Sequence, residues 1–391
     1  MKKIVMIFVL GGLAFYGFPM VPGYSGARSL SLGYASTAFN YDINSIFINP
    51  AILSSVNYSL SGYQYQTSYL DYKNFQEDLS DILEYNLKEF ENINAEDKTT
   101  LFSKLEDLYQ SKVGMYGFLS NIPGYISRGY GLSISFINTA IVNPVIPGED
   151  SIFNKEVSEI TNADIAALKM NFLGLKYKQI SLSYAMKVYS SIHMGISLHY
   201  LNGKITEFTG SIVDDIFTPE AEAKDYLEHG WGNAQDKFSK FIADLGFNVD
   251  LGRYFKAGLM MKNIGAAKIE TPLRKITIPK RMTAGLAFRP NAQWGIYLDM
   301  DLKKLDLLYD GQDMQPISFG IEKGFFKNKF FVRVGMLSDL AEKYFIGKKS
   351  NALYGLGVGF NMKKIIVDLA VGIDNDGTIK NLAVSGFIIV K

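Results

Sequence analysis

The sequence of 391 residues contains no cysteine, only two tryptophans and almost no net charge. The lack of cysteine excludes disulfide bonds, thiolate catalysis, zinc sites built on thiolates and lipidation of an N-terminal cysteine. Because 40 basic residues nearly balance 39 acidic ones, no net field attracts nucleic acid. After residue 16, no stretch of roughly 18 residues is uninterruptedly apolar, so no membrane-spanning helix is expected.

Signatures of enzymes are missing as well. The sequence has no Gly-x-Ser-x-Gly elbow, P-loop, His-Glu-x-x-His motif or dinucleotide-binding fingerprint. His193 and His199 would share one face of a strand, but at ~3.3 Å per residue they lie about 20 Å apart, too far to chelate one metal ion. We expect both to be solvated, and we expect no catalytic residue, metal or cofactor.

The chain begins with a pattern typical of an export signal. Met1, Lys2 and Lys3 precede the apolar segment Ile4–Tyr16, which is too short to cross a bilayer as a helix. We therefore expect residues 1–23 to be a cleaved signal peptide.

The strongest positive signal is a period of two that recurs along the chain. From Asn351 to Met362 the even positions are apolar and the odd ones mostly small or polar, which indicates a strand with two different faces. Similar runs have about the length of a strand that crosses a bilayer obliquely. With this one, they cover 56–69, 113–121, 129–139, 166–188, 191–200, 243–251, 254–264, 280–289, 294–302, 315–324, 329–337, 351–362, 365–373 and 380–390.

Two features favour a membrane barrel over a soluble sandwich, whose strands also alternate. The apolar faces almost never carry a charge in mid-strand, where a Lys or Arg costs roughly 2–4 kcal/mol at the bilayer midplane. The connections also alternate between short and long, with one short turn at 122–128, if 166–188 is a single long strand. This is typical of barrels with short periplasmic turns and longer outer loops. A split of that strand near Gln179 would give fifteen strands and end the alternation upstream. A phase slip in the first strand predicts a bulge near Ser61 and Gly62.

The predicted fold is therefore all-β, a closed antiparallel transmembrane barrel of about fourteen strands with helical insertions in its outer loops. Apolar residues at helical spacing place the insertions within 71–112 and 207–240, with helices at 71–110 and 218–229. The polar strand faces would line the lumen. The candidate lumen residues are His199, Asp244, Asn248, Arg281, Asp299, Asp301, Glu322, Arg333 and Asp368.

The segment that follows the signal resembles a known family. Residues 26–35 read GARSLSLGYA and residues 38–53 read AFNYDINSIFINPAIL. This is similar to the start of FadL-like outer-membrane proteins and their PorV/PorQ relatives, although Tyr34 and the C-terminal Lys391 depart from the usual pattern. The resemblance implies a hatch at 24–54, folded inside a fourteen-stranded barrel at 55–391. The matching hatch and gating candidates are Gly26, Arg28, Gly33, Asp42, Asn49, Pro50 and Ala51.

The resemblance also implies a location and a function. A FadL-like protein lies in the outer membrane of a Gram-negative bacterium, contacts its lipid, and passes hydrophobic small molecules such as fatty acids without an energy source. The alternative is a PorV/PorQ-like barrel that partners a protein secretion or surface-attachment system and binds secreted or surface proteins. Neither function involves nucleic acid or catalysis.

Overall fold

The computed structural model describes residues 26–71, 79, 81–82, 84–110, 115–145, 152–213, 235–265, 268–270, 275–306, 313–340, 352–375, 377 and 379–390. The expected signal peptide, residues 1–23, and the helix expected at 218–229 lie outside these residues. Among the described residues, no helix is both long enough and apolar enough to cross a lipid bilayer.

Fourteen strands form a closed barrel, and each strand pairs antiparallel with its neighbours in chain order. The strands are β1 (Ser59–Asp71), β2 (Met115–Ser127), β3 (Tyr130–Val145), β4 (Lys169–Tyr189), β5 (Ile192–Ser211), β6 (Gln235–Leu251), β7 (Phe255–Ile264), β8 (Arg281–Asn291), β9 (Trp294–Asp301), β10 (Pro316–Phe325), β11 (Phe330–Asp339), β12 (Leu353–Met362), β13 (Ile365–Ile373) and β14 (Ile379–Val390). Closure pairs β14 with β1, so that Ser59 lies opposite Val390. A closed sheet leaves no unpaired edge, and the predicted fold class is confirmed.

Two short ribbons lie apart from the barrel sheet, on its long connections. Lys268–Glu270 pairs with Lys275–Thr277, and Leu305–Asp306 pairs with Asp313–Met314. The region predicted as one long strand at 166–188 is the single strand β4.

The second strand runs further than the sequence indicates. The turn predicted at 122–128 is wrong, because β2 continues through Pro123 and Gly124 to Ser127. Pro123 lies opposite Tyr63 of β1, whereas the ladder to β3 skips Pro123 and the residue before it. A proline has no N–H to donate, so it is tolerated where one of the two ladders is interrupted.

The bulge predicted near Ser61 and Gly62 is also wrong. β1 keeps an unbroken register with both β14 and β2 across these residues. The phase slip has another cause: Leu60 faces the barrel interior, where it joins a buried apolar cluster with Ile43 and Phe47 of the N-terminal segment. This apolar residue on the inner face therefore packs against apolar residues inside the barrel, not against the membrane.

The two faces of the wall differ as the period of two predicts. On β12, Tyr354, Leu356 and Phe360 point outward, and 39% to 43% of each side chain is exposed. Arg333 and Asp368, on the neighbouring strands, point inward and are each 1% exposed. An apolar outer face and a polar inner face are typical of a transmembrane barrel.

The N-terminal segment, residues 26–56, lies inside the barrel and contains helices but no strand: α1 (Gly26–Ser31), α2 (Ser45–Ile48) and a 3₁₀ helix (Pro50–Ser55). Only two residues separate Val56 from the start of β1. The segment passes so close to the wall that a Cβ added to several inward-facing glycines would meet its atoms. These glycines are Gly195, Gly246, Gly258, Gly285, Gly320, Gly335, Gly355 and Gly357.

Helices of the long connections pack into a separate outer cluster. α3 (Ala95–Gln110), the described helix of the insertion predicted at 71–112, packs with α4 (Asn162–Ala167). Three 3₁₀ helices, Leu87–Asn92, Ile152–Asn154 and Val157–Glu159, complete the cluster. Its buried apolar residues include Leu79, Ile82, Phe90, Leu101, Leu105, Leu108, Ile160 and Ile165.

The first turn of α4 is held by a capping box. The Thr161 hydroxyl accepts from the Asp164 N–H at 3.3 Å, and the Asp164 carboxylate accepts from the Thr161 N–H at 2.9 Å. Lys155 Nζ donates to the same carboxylate at 2.7 Å, and these hydrogen bonds lower the pKa of Asp164 from 3.8 to about 2. The carboxylate therefore stays charged, and the cap intact, at physiological pH.

Replacing Leu105 with Ala is expected to destabilise the outer cluster by about 2–5 kcal/mol, because this fully buried side chain would leave a cavity. Hydrogen–deuterium exchange should then be faster in α3 and unchanged in the barrel strands. Ser103→Ala, at an exposed position of the same helix, is the control and should not accelerate exchange. Equal exchange rates in the two variants would contradict this packing.

Candidate functional site

The N-terminal segment is joined to the wall by Arg28 of α1, which is fully buried. Its Nε donates to Glu322 Oε2 of β10 at 3.2 Å, and its Nη2 donates to Glu322 Oε1 at 3.4 Å. Nη2 also lies 3.2 Å from the Tyr297 hydroxyl of β9, and Nη1 donates to the Phe39 carbonyl at 3.3 Å. A two-pronged guanidinium–carboxylate pair fixes orientation as well as distance.

Glu322 also binds a second guanidinium, so the contact becomes a network. Arg333 Nε donates to Glu322 Oε2 at 2.6 Å, and Arg333 Nη1 donates to Asp368 Oδ1 of β13 at 2.5 Å. Arg333 Nη2 donates to the Tyr41 hydroxyl of the segment at 3.0 Å. Two cations and two anions thus neutralise each other away from water, which is the condition for burying charge at tolerable cost.

Aromatic rings complete the surroundings of Arg28. Its guanidinium carbon lies 4.5 Å from the ring centre of Tyr41, 5.3 Å from that of Tyr297 and 5.6 Å from that of Phe39. Such cation–π contacts gain strength when the cation is desolvated. The Arg28 charge is therefore stabilised by aromatic rings as well as by Glu322.

A second anchor is made by Asp299 of β9. Its Oδ2 accepts from the backbone N–H groups of Ser36 and Thr37, each at 2.8 Å. Asp301, two residues along the same face, instead accepts from Arg281 Nε of β8 at 2.7 Å. Beside these residues lies a cavity of about 40 Å³, enough for one or two water molecules. Asp299 therefore holds the segment, whereas Asp301 and Arg281 join neighbouring strands.

A third anchor explains the Asn49-Pro50-Ala51 motif. Asn49 Nδ2 donates to the Thr37 carbonyl at 2.9 Å and to the Phe247 carbonyl of β6 at 3.0 Å, while its Oδ1 accepts from the Ala51 N–H at 3.1 Å. Asn49 is extended, at φ −162° and ψ 102°, as the proline that follows requires. One amide thus ties two parts of the segment to the wall.

The remaining candidates of the segment shape its turns. The Asp42 carboxylate accepts from the Asn44 N–H at 2.8 Å and from Asn40 Nδ2 at 3.0 Å, so it stabilises a local turn. Gly26 and Gly33 have φ of 54° and 61°, in the left-handed region that favours glycine. Asn248 of β6 donates to the Ala38 carbonyl at 2.8 Å and adds a wall contact.

The expectation that His193 and His199 are solvated is wrong, because both are buried by the segment. His199 Nδ1 lies 2.8 Å from Ser181 Oγ, its Nε2 lies 3.2 Å from Asp244 Oδ2, and its ring stacks on Phe47. His193 Nδ1 lies 2.6 Å from the Ser54 hydroxyl of the segment. Among the described residues, no group of acidic and histidine side chains is arranged to hold a metal ion.

Sequence reasoning missed the two tyrosines of the network and an apolar lining of the outer lumen. On β9, Tyr297 has the same alternation as the polar residues Asp299 and Asp301. An aromatic residue on that polar face is the sequence signal by which it could have been identified. Towards the long-loop end, Leu30 of α1 shares one buried cluster with inward-facing residues of β4, β5 and β6. These are Leu173, Leu201, Ile205, Phe238 and Ile242. Towards the long-loop end, the inner face of these strands is therefore apolar.

Comparison with known proteins agrees with the barrel. A family model described as “F plasmid transfer operon, TraF, protein” matches residues 46–301, well over half of the chain. No curated protein matches the sequence. The structure of the CymD monoaromatic hydrocarbon channel has a TM-score of 0.55 at 10% identity, over 94% of this chain and 97% of that one.

Two further structures share the fold. A deltaS2 mutant of the TodX monoaromatic hydrocarbon channel has a TM-score of 0.54 at 13% identity, over 94% of this chain and 99% of its own. A FadL homologue of Pseudomonas aeruginosa has a TM-score of 0.51 at 12% identity, over 95% of this chain and 98% of its own. At these identities the likeness concerns the fold alone. That fold is the barrel of the FadL-like proteins, whose first residues are similar to residues 26–53 of this chain.

Replacing Gly335 with Ala is expected to loosen the segment, because the new Cβ would overlap the backbone of Leu32 and Gly33, which cannot yield as a side chain can. Overpacking of this kind costs about 1–3 kcal/mol. The temperature at which the barrel unfolds should fall, as measured by the loss of the fast-migrating folded band in detergent gels. Gly386→Ala is the matched control, since its Cβ would meet no atom within 4 Å, and an equal fall in both variants would refute the close approach.

Replacing Glu322 with Gln is expected to free α1 from the wall, because Arg28 loses its carboxylate while Arg333 keeps Asp368. Breaking a buried pair in this way costs about 3–5 kcal/mol. Hydrogen–deuterium exchange at residues 26–31 should become faster, with the strands unaffected. Glu89→Gln, at an exposed outer-loop position, serves as the control; unchanged exchange at α1 in the Glu322 variant would contradict the anchor.

Proposed function

We propose that this chain, which belongs to the family described as “F plasmid transfer operon, TraF, protein”, is a passive channel for hydrophobic small molecules in the outer membrane of a Gram-negative bacterium. The proposal takes support from the fold, which it shares with proteins described as monoaromatic hydrocarbon channels. Aromatic hydrocarbons and fatty acids are the substrate classes we propose.

The observation that carries this proposal is the apolar lining of the outer lumen. Leu201 and Ile205 on β5 and Phe238 on β6 face inward and are at most 7% exposed. A water-filled pore for ions or sugars would have polar side chains at such positions. Apolar solutes lose nothing by leaving water for such a surface, since burial of apolar area is favourable.

The N-terminal segment is suited to act as the hatch of this channel. Among the described residues it adds no strand to the barrel sheet, so it can shift without breaking a ladder. Its position depends on side-chain anchors such as Arg28, Asp299 and Asn49. We propose that a solute entering the apolar lumen displaces part of the segment while the wall stays closed.

A second candidate function has one observation in its favour. The outer cluster around α3 is a packed body with its own apolar core, which would give a protein partner a defined surface. A barrel that serves secretion or surface attachment would bind its cargo there. A stoichiometric protein partner that is lost when residues 71–112 are deleted would favour this function over a channel.

Expression in a Gram-negative host without such a channel is expected to raise the uptake of a radiolabelled aromatic hydrocarbon or long-chain fatty acid by intact cells. Ile205→Asp should reduce that uptake about tenfold or more, because a carboxylate on the apolar path holds water that the solute cannot replace. Asn202→Asp, at an exposed position of the same strand, is the control. Uptake no higher than in the empty host, with folded barrel in the outer membrane, would refute the proposal.

A further inference from the structure

A cavity of about 510 Å³ lies at the short-turn end of the barrel, beneath the N-terminal segment. The ends of β6, β7 and β8 and the turns beside them form its walls, and Phe39 of the segment forms part of its lining. Its charged residues are Asp250, Arg253, Lys256 and Arg289. The cavity is distinct from the apolar outer lumen, because none of its lining residues belongs to that apolar cluster.

The charges in this cavity do not balance. Lys256 Nζ lies 2.5 Å from Asp250 Oδ1, so these two side chains neutralise each other. Asp250 Oδ2 also lies 3.4 Å from His193 Nε2, which leaves this carboxylate fully engaged. Within the described part of the chain, neither Arg253 nor Arg289 forms an ion pair with a carboxylate. Two positive charges therefore remain in one recess.

Arg289 is held in place by an aromatic ring and a backbone carbonyl rather than by a carboxylate. Its guanidinium carbon lies 4.2 Å from the ring centre of Phe39, and its Nη2 donates to the Ala292 carbonyl at 3.5 Å. Its Nε is buried and, within the described residues, has no acceptor. Its charge is therefore not neutralised by any described carboxylate, and the guanidinium lines the cavity as an unpaired cation.

We infer that this recess binds the oxyanion head group of an amphiphile, a carboxylate or a phosphate monoester. The planar fork of an arginine matches the geometry of both groups. The first methylenes of the attached chain would lie against Phe39 and Pro290, which line the same cavity. Such a molecule reaches the recess either from the adjoining leaflet of the membrane or through the barrel, and the head-group chemistry is the same in both cases. The inference goes beyond the proposed channel function and does not depend on transport of any solute through the barrel.

Isothermal titration of the full-length barrel in a neutral maltoside detergent tests the inference, with hexyl phosphate, hexanoate, hexanol and inorganic phosphate as probes. We expect saturable binding of hexyl phosphate and hexanoate, and none of hexanol. Arg289→Gln and Arg253→Gln should each weaken binding of the anionic probes about tenfold or more, since a charge-assisted hydrogen bond is lost. Arg253 is exposed on a turn, so its variant should fold even if the Arg289 variant does not.

Arg128→Gln is the matched control, because Arg128 is an exposed arginine on another short turn at the same end of the barrel. This variant should bind both anionic probes as the unmodified protein does. Absence of binding, equal affinity of the Arg253 and Arg128 variants, or inorganic phosphate binding as tightly as hexyl phosphate would each overturn the inference. Binding that persists in a barrel that passes no hydrophobic solute would leave it standing and refute only the channel.

Discussion

Burial of charge inside a closed cylinder is the constraint on which this structure depends. Glu322 is shared by Arg28 of the N-terminal segment and Arg333 of the wall, and Asp368 supplies the second anion. A buried ion without a partner costs several kcal/mol, so the charges of the segment and of the wall require each other. The position of α1 in the lumen follows from three inward side chains on β10, β11 and β13.

The strands and the direction of most side chains could be predicted, because a period of two is a local property of the sequence. It placed Glu322, Arg333 and Asp368 on the inner face, and the resemblance selected Arg28. Their pairing could not be predicted, since Arg28 and Glu322 are 294 residues apart and meet only through closure and register. The burial of His199 was missed because the covering ring, Phe47, comes from the segment.

The same period of two obscured the apolar outer lumen. In the preceding run, residues 191–200, the apolar residues stand at even positions. Leu201 and Ile205 stand at odd positions, so the sequence suggests that the alternation ends there, not that the inner face of the strand becomes apolar. In the structure they face inward beyond the segment and share a core with Leu30. The inner face of the wall thus combines polar anchors such as Glu322 and Asp299 with apolar residues that pack against Leu30.

The junction between the segment and β1 limits what any rearrangement can achieve. Val56 is separated from Ser59 by only two residues, and this connection spans about 10 Å at full extension. Tyr58, which lies in this connection, also binds the segment, because its hydroxyl donates to the Tyr41 carbonyl at 3.1 Å. The end of the segment near Val56 is therefore held close to the start of β1. In the opening that we propose for the channel, α1 at the other end would move farthest, and its displacement would require Arg28 to leave Glu322.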